Sequence, residues 1–215
     1  MKCRTTDQKD AAFTLIEFLL VIVIVLVALI LPMFARARVK TSRGLCTSNL
    51  KQAALAFQLW VQDYGPGFPM EVSESKGGTR QAALAGKLLP NLTILSNQMP
   101  TPSTLICPGD KKRKPAQTFT DLTALNVSYF LNPDAAFTNQ NHIIAGDRNL
   151  ALAASRVRSG LLHITTNVNE LQWTNWLHAH GGNVALVDGS AHQITTHGLR
   201  SLLTATGPTT RLIIP

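Results

Sequence analysis

Phe13 to Leu31 reads FTLIEFLLVIVIVLVALIL, nineteen residues with one charge, Glu17. β-Branched residues fall on every side, so no polar face remains. As an α-helix the stretch covers about 28 Å at ~1.5 Å per residue, near the ~30 Å of a hydrocarbon core. The reading is a single transmembrane helix in preference to a buried core helix, and no second segment of this kind occurs. The preceding MKCRTTDQKDAA sets Lys2, Arg4 and Lys9 against Asp7 and Asp10, a short basic leader. A secretory signal with a small-x-small site at Ala35-Arg36-Ala37 is the competing reading. The apolar stretch is long against an h-region of roughly 7–15 residues, and Pro32 and Arg36 disturb the cleavage pattern. Glu17 is the anomaly. A carboxylate in hydrocarbon costs roughly 2.5–3.5 kcal/mol, and no Lys or Arg lies within one helical turn of it. Its partner is expected from another chain or from a newly made N-terminus.

The remainder reads as one domain with an appendage. The chain has 215 residues, 45% apolar and 15% charged, with Lys+Arg 20 against Asp+Glu 12. That apolar fraction excludes a disordered chain, 14 Gly with 11 Pro excludes a collagen, and three Cys exclude a disulfide-dense scaffold. Pro32 predicts a kink. Arg36, Arg38, Lys40 and Arg43 follow it, a cluster that the positive-inside rule alone would place in the cytoplasm. Cys46, Leu50, Ala53, Phe57, Trp60 and Tyr64 are spaced 4, 3, 4, 3, 4, an amphipathic helical seam closed by Gly65-Pro66-Gly67. A short helix is predicted at Arg80–Leu89 and another at Gly198–Ala205. Strands are predicted at Val127–Leu131, His142–Ala145, Leu161–Thr165, Asn183–Val187 and Ala191–Thr195. Asp188-Gly189 between the last two predicts a type I′ hairpin turn. A helix followed by mostly antiparallel strands is an α+β fold.

Ala12-Phe13-Thr14-Leu15-Ile16-Glu17 and the apolar run after it resemble the prepilin cleavage and methylation motif of type IV pilins and type II secretion pseudopilins. The resemblance implies cleavage by a prepilin peptidase between Ala12 and Phe13 and N-methylation of Phe13. It places Glu17 at the fifth position of the mature chain, where it could neutralise the Phe13 amine of a neighbouring subunit. The family usually carries Gly before the cut, where this chain has Ala12. His178, nine residues, then Asp188-Gly189 form an H-X9-DG segment. With Asn49-Leu50-Lys51-Gln52, Leu59-Trp60, Cys107-Pro108-Gly109-Asp110 and Ala145-Gly146-Asp147-Arg148-Asn149, it is similar to a pseudopilin-like family that joins this leader to that C-terminal segment. Members often carry His after the Asp-Gly, where this chain has Ser190.

Several residues could carry chemistry. His178 and His180, at i and i+2, share a face if they lie on a strand, and with Asp188 or His192 they would supply metal ligands. Hairpin geometry is the plainer reading of Asp188-Gly189. Asp110, Asp121, Asp134 and Asp147 are loop-like carboxylates, but no single loop holds the oxygen run that calcium requires. Cys46 and Cys107 pair in an oxidising compartment or remain two buried thiols. No nucleophile elbow, HExxH or P-loop pattern occurs. The basic run Lys111–Lys114 has no interleaved aromatics and makes a poor nucleic-acid surface.

The resulting expectation is a non-enzymatic pilin-like or pseudopilin subunit with no cofactor. Residues 1–12 form the leader, 13–35 a transmembrane helix, 36–64 its amphipathic continuation and 65–215 a periplasmic α+β domain. A long kinked N-terminal helix, half in the membrane and half amphipathic, packs on a mostly antiparallel sheet. The chain is expected in the bacterial inner membrane as a single-pass protein, from which it is extracted into a fibre serving protein secretion. Its expected partners are the prepilin peptidase, other pilin-like subunits, the inner-membrane assembly machinery and membrane lipid. The alternative is an anchored or secreted periplasmic binding domain, metal-dependent, that does not polymerise.

Overall fold

In a computed structural model of the chain, residues 14–153, 155–165, 167–205 and 210–215 are described, those of 31–40 by their backbone alone. The expected cleavage and methylation position, Ala12–Phe13, lies outside the described residues. Two compact units are distinguished, Met1–Lys40 and Thr41–Pro215.

Helix α1 runs over Leu15–Tyr64. Its first turn is a capping box. The Glu17 amide donates to Thr14 Oγ1 at 3.3 Å, and the Glu17 carboxylate accepts from the Thr14 amide at 2.8 Å. That reciprocity satisfies two of the donors that a helix start leaves open. Every described side chain from Leu15 to Ile30 is exposed.

The expected kinked helix, half membrane and half amphipathic, is corrected on two counts. The helical backbone continues through Pro32, forgoing the bond that Pro32 cannot donate to the Ala28 carbonyl. Among the described residues, no helix is long and apolar enough to cross a membrane. The described side chains of Leu15 to Ile30 are sixteen residues, about 24 Å of helix against the ~30 Å required. The expected single-pass placement in the inner membrane is overturned with it.

In the second unit, α1 contributes its seam to the core. Cys46, Leu50, Ala53, Phe57 and Trp60 are buried. Tyr64 breaks the expected pattern at 61% exposed, stacking on Trp60 instead. The predicted helix over Arg80–Leu89 is two short ones, α2 (Arg80–Leu84) and α3 (Leu88–Thr93), because Gly86 turns the chain with φ +68°. Pro90 sits inside α3, in its first turn, where its missing N–H has no intrahelical partner to lose.

Six antiparallel strands form the main sheet. These are β1 (Tyr129–Leu131), β2 (Ile143–Asp147), β5 (Gly160–Ile164), β7 (Gly181–Leu186), β8 (Ala191–Thr195) and β9 (Thr210–Ile214), in the order β5-β9-β1-β2-β7-β8. A smaller sheet holds β3 (Leu150–Leu152), β4 (Ser155–Arg156) and β6 (Leu171–Trp173). Strands β1, β2 and β7 are buried along their whole length, so both faces of the sheet centre are covered. Tyr129 and Leu131 join the core under α1, while Phe130 between them joins a second core with Trp173, Leu199 and Leu203. That is the period-2 alternation of a strand. Leu199 and Leu203 come from α5 (Thr196–Ala205), and Trp173 precedes α4 (Asn175–His178).

The hairpin between β7 and β8 corrects the expected turn. Leu186 and Ser190 close a three-residue loop, with the Leu186 amide donating to the Ser190 carbonyl at 2.9 Å. A type I′ turn needs positive φ at both central residues. Only Gly189 has it, at +83°. Asp188 instead accepts from the Ser190 amide at 2.8 Å. A Cβ at Gly189 would lie 2.9 Å from Oε1 of Gln58 on α1, whose amide donates to the Val187 carbonyl.

Candidate functional site

Two turns of α1, from Arg43 to Asn49, face four other pieces of the second unit. These are the Cys107–Asp110 loop, the end of β2, the end of α4 and the start of β7. Cys46 and Cys107 form a disulfide with their Cα atoms 4.7 Å apart. Asn49 donates to the Ile106 carbonyl at 2.8 Å, which aligns the residue before Cys107 against the helix. Thr47 donates to Oδ1 of Asn183 on β7 at 3.0 Å.

Asp147 closes β2 and is fully buried. Its Oδ2 accepts from the Asn183 amide at 2.6 Å and from Asn183 Nδ2 at 2.8 Å, while Oδ1 has no hydrogen-bond partner. Burial raises its pKa to about 7 against the opposing pull of the Asn183 bonds and of Arg43. His178 ends α4, and its Nε2 lies 3.3 Å from Cys107 Sγ and 3.3 Å from Asp147 Oδ2. Burial, seconded by the Arg43 charge, lowers its pKa to about 4, so the imidazole is neutral at pH 7. Arg43 lies directly over Gly181, where any Cβ would collide with its guanidinium.

Asp110 anchors the other side. Arg148 donates to both of its oxygens, at 2.7 and 3.0 Å, and Ser128 donates at 3.1 Å. Such bidentate, charge-assisted pairs fix geometry as well as charge. The Arg148 guanidinium stacks on Trp176 with its Cζ 4.4 Å from the ring centroid. Asn149 donates to the Thr174 and Gly181 carbonyls, tying the start of the smaller sheet to β7.

The structure therefore gathers Cys107, Asp110, Asp147, Arg148, Asn149 and His178, which the sequence scatters over three motifs. The remaining candidates go elsewhere. His180 is exposed at φ +62°, outside β7, so it shares no strand face with His178. His192 contacts Ser190 on the exposed hairpin, and Asp188 closes the turn there. Asp134 pairs with Arg211, and Asp121 accepts from Thr118. Those carboxylates share no loop. Arg43 and Asn183 were not singled out as site residues. An Arg one turn before a Cys on an apolar helical seam is the only signal that pointed to the former.

Chemically the cluster sets a disulfide, a neutral imidazole and the buried Asp147 carboxyl side by side, with Arg43 next to them and the Asp110–Arg148 pair beyond. Comparison with protein-family models, with curated proteins and with solved structures finds no match.

Proposed function

We propose that the chain is a structural subunit of pilin-like type, trimmed at its N-terminus and assembled side by side with like helices into a fibre. The observation that carries this reading is the apolar array on α1. Every described large apolar side chain from Leu15 to Ile30 is exposed, from 42% at Ile22 to 82% at Leu15. Monomers rarely expose contiguous apolar surface on this scale, and where it occurs it marks an interaction site. The leader-like Ala12–Glu17 motif favours packing against other helices of the same kind. The capping box starts the helix two residues after the proposed cut, so the first turn is pre-formed in the trimmed chain.

The test is the mass of the mature N-terminus after co-expression with a prepilin peptidase, together with shear release of fibres. A chain beginning at N-methylated Phe13 and recovered in fibres is the expected result. A chain beginning at Arg38, the product of ordinary signal-peptide removal, would overturn it.

A further inference from the structure

We propose that the reduced form of this protein binds one zinc-class divalent cation through Cys46, Cys107 and His178, so that the disulfide and the metal are alternative occupants of one buried site.

Among the described residues, Cys46, Cys107 and His178 are the group of three potential ligands that converge, with Sγ, Sγ and an imidazole nitrogen all within 4.8 Å of one another. All three are buried. A tetrahedral site with arms of about 2.0–2.3 Å has ligand-to-ligand edges of about 3.3–3.8 Å. The 3.3 Å separation from His178 Nε2 to Cys107 Sγ matches such an edge. A second observation points the same way. Asp147 Oδ1 is a fully buried carboxylate oxygen with no donor, while Asn183 holds the other oxygen and orients the group. A buried acceptor without a partner is costly, and a water held in the cation's fourth position would have a hydrogen to give it. Asp110 is unavailable as a ligand, since Arg148 and Ser128 occupy it.

Charge also closes. Two thiolates carry two negative charges against two on the cation, and the imidazole adds none. Two sulfurs and one or two N/O ligands at tetrahedral spacing suit zinc over calcium or magnesium.

The exchange balances. A dithiol transfers two electrons and two protons to the Cys46–Cys107 bond and becomes a cyclic disulfide. The bond breaks to two thiols, and rotation about the side-chain bonds lets the sulfurs part to the tetrahedral edge. The cation then displaces the two thiol protons to solvent.

The full-length chain, reduced with dithiothreitol and desalted without oxygen, is titrated with Co²⁺ and then Zn²⁺. The expected result is one Co²⁺ per chain, with thiolate-to-cobalt charge-transfer absorption and the intense visible bands of a tetrahedral site, displaced by Zn²⁺. The oxidised chain should bind none. His178→Gln should weaken binding more than about tenfold and alter the visible bands, whereas His180→Gln should match wild type. Near-ultraviolet circular dichroism reports the fold throughout. The proposal is overturned if the reduced chain takes up no Co²⁺, folded or unfolded. It is equally overturned if His178→Gln binds as wild type does, or if the oxidised chain binds as well as the reduced one.

Discussion

Nε2 of His178 and Oδ2 of Asp147 lie 3.3 Å apart, both side chains buried, and between pH 4 and 7 the folded pair holds one proton, on the Asp147 carboxyl. In the unfolded chain the same proton sits on the imidazole, whose ordinary value is 6.5 against 3.8 for the carboxylate. Folding moves the proton from one residue to the other without changing the number bound. The pair as a whole therefore adds no slope to stability across that window.

Single substitutions expose the two halves. In Asp147→Asn, unfolded His178 binds a proton that the folded ring refuses, so stability rises with pH between about 4 and 6.5. In His178→Gln, folded Asp147 keeps a proton that the unfolded chain has released, so stability falls as pH rises from 3.8 through about 7. The slopes integrate to on the order of 3 and 4 kcal/mol respectively. Urea unfolding of the oxidised protein in chelator, from pH 4 to 8, measures both. Three parallel curves would contradict the assignment.

Gly189→Ala should destabilise the second unit by about 1–2 kcal/mol, the usual penalty for an L-residue at left-handed φ. The displaced Gln58 also loses its bond to the Val187 carbonyl. Gln58→Ala together with Gly189→Ala should cost less than the sum of the single changes. A thermal melt of the four proteins decides it, and strict additivity would mean that the two residues do not meet.

Replacing both Cys46 and Cys107 by Ala should cost about 4 kcal/mol on the chain-entropy model for a loop of this size, 61 residues apart. Denaturant midpoints of oxidised wild type and the double variant measure the loss. Non-reducing peptide mapping should recover the two cysteines linked, and free alkylatable thiols at both positions would contradict it.

Glu17→Val and Thr14→Ala both open the capping box and weaken the start of the helix. They differ in charge. Only Glu17→Val removes the carboxylate that the assembly reading sets against a neighbour's amine. Fibre yield should collapse in Glu17→Val and persist in Thr14→Ala. Equal losses would show that Glu17 acts through the helix end alone.

Much of the second unit is legible in the sequence because its signals are local. The seam from Cys46 to Trp60 and strand β8 follow from periodicity over a few residues. Strands β3, β4 and β6 are two or three residues long, too short for any alternation to register. Strand β9 is fixed by pairing with β5 and β1 from distant parts of the chain. The site was legible only in fragments for the same reason. His178 was visible through its spacing to Asp188-Gly189, yet the structure turns it away from that turn and toward Cys107 and Asp147. Glu17 reads as a charge without a partner only while its partner is taken to be a cation. Its actual partner is the neutral Thr14, three residues back, in a pattern that is itself local.

The Cys46–Cys107 bond also decides how this protein would bear tension. A pull entering along α1 from the N-terminal side reaches Cys46 and can pass through the sulfurs to Cys107, next to the Cys107–Asp110 turn. Residues 47–106 then lie on a covalent bypass and cannot be drawn out. Their hidden length is about 200 Å at ~3.5 Å per residue. Oxidised chains stretched singly should therefore lengthen by about that much less than reduced ones before the covalent chain is taut.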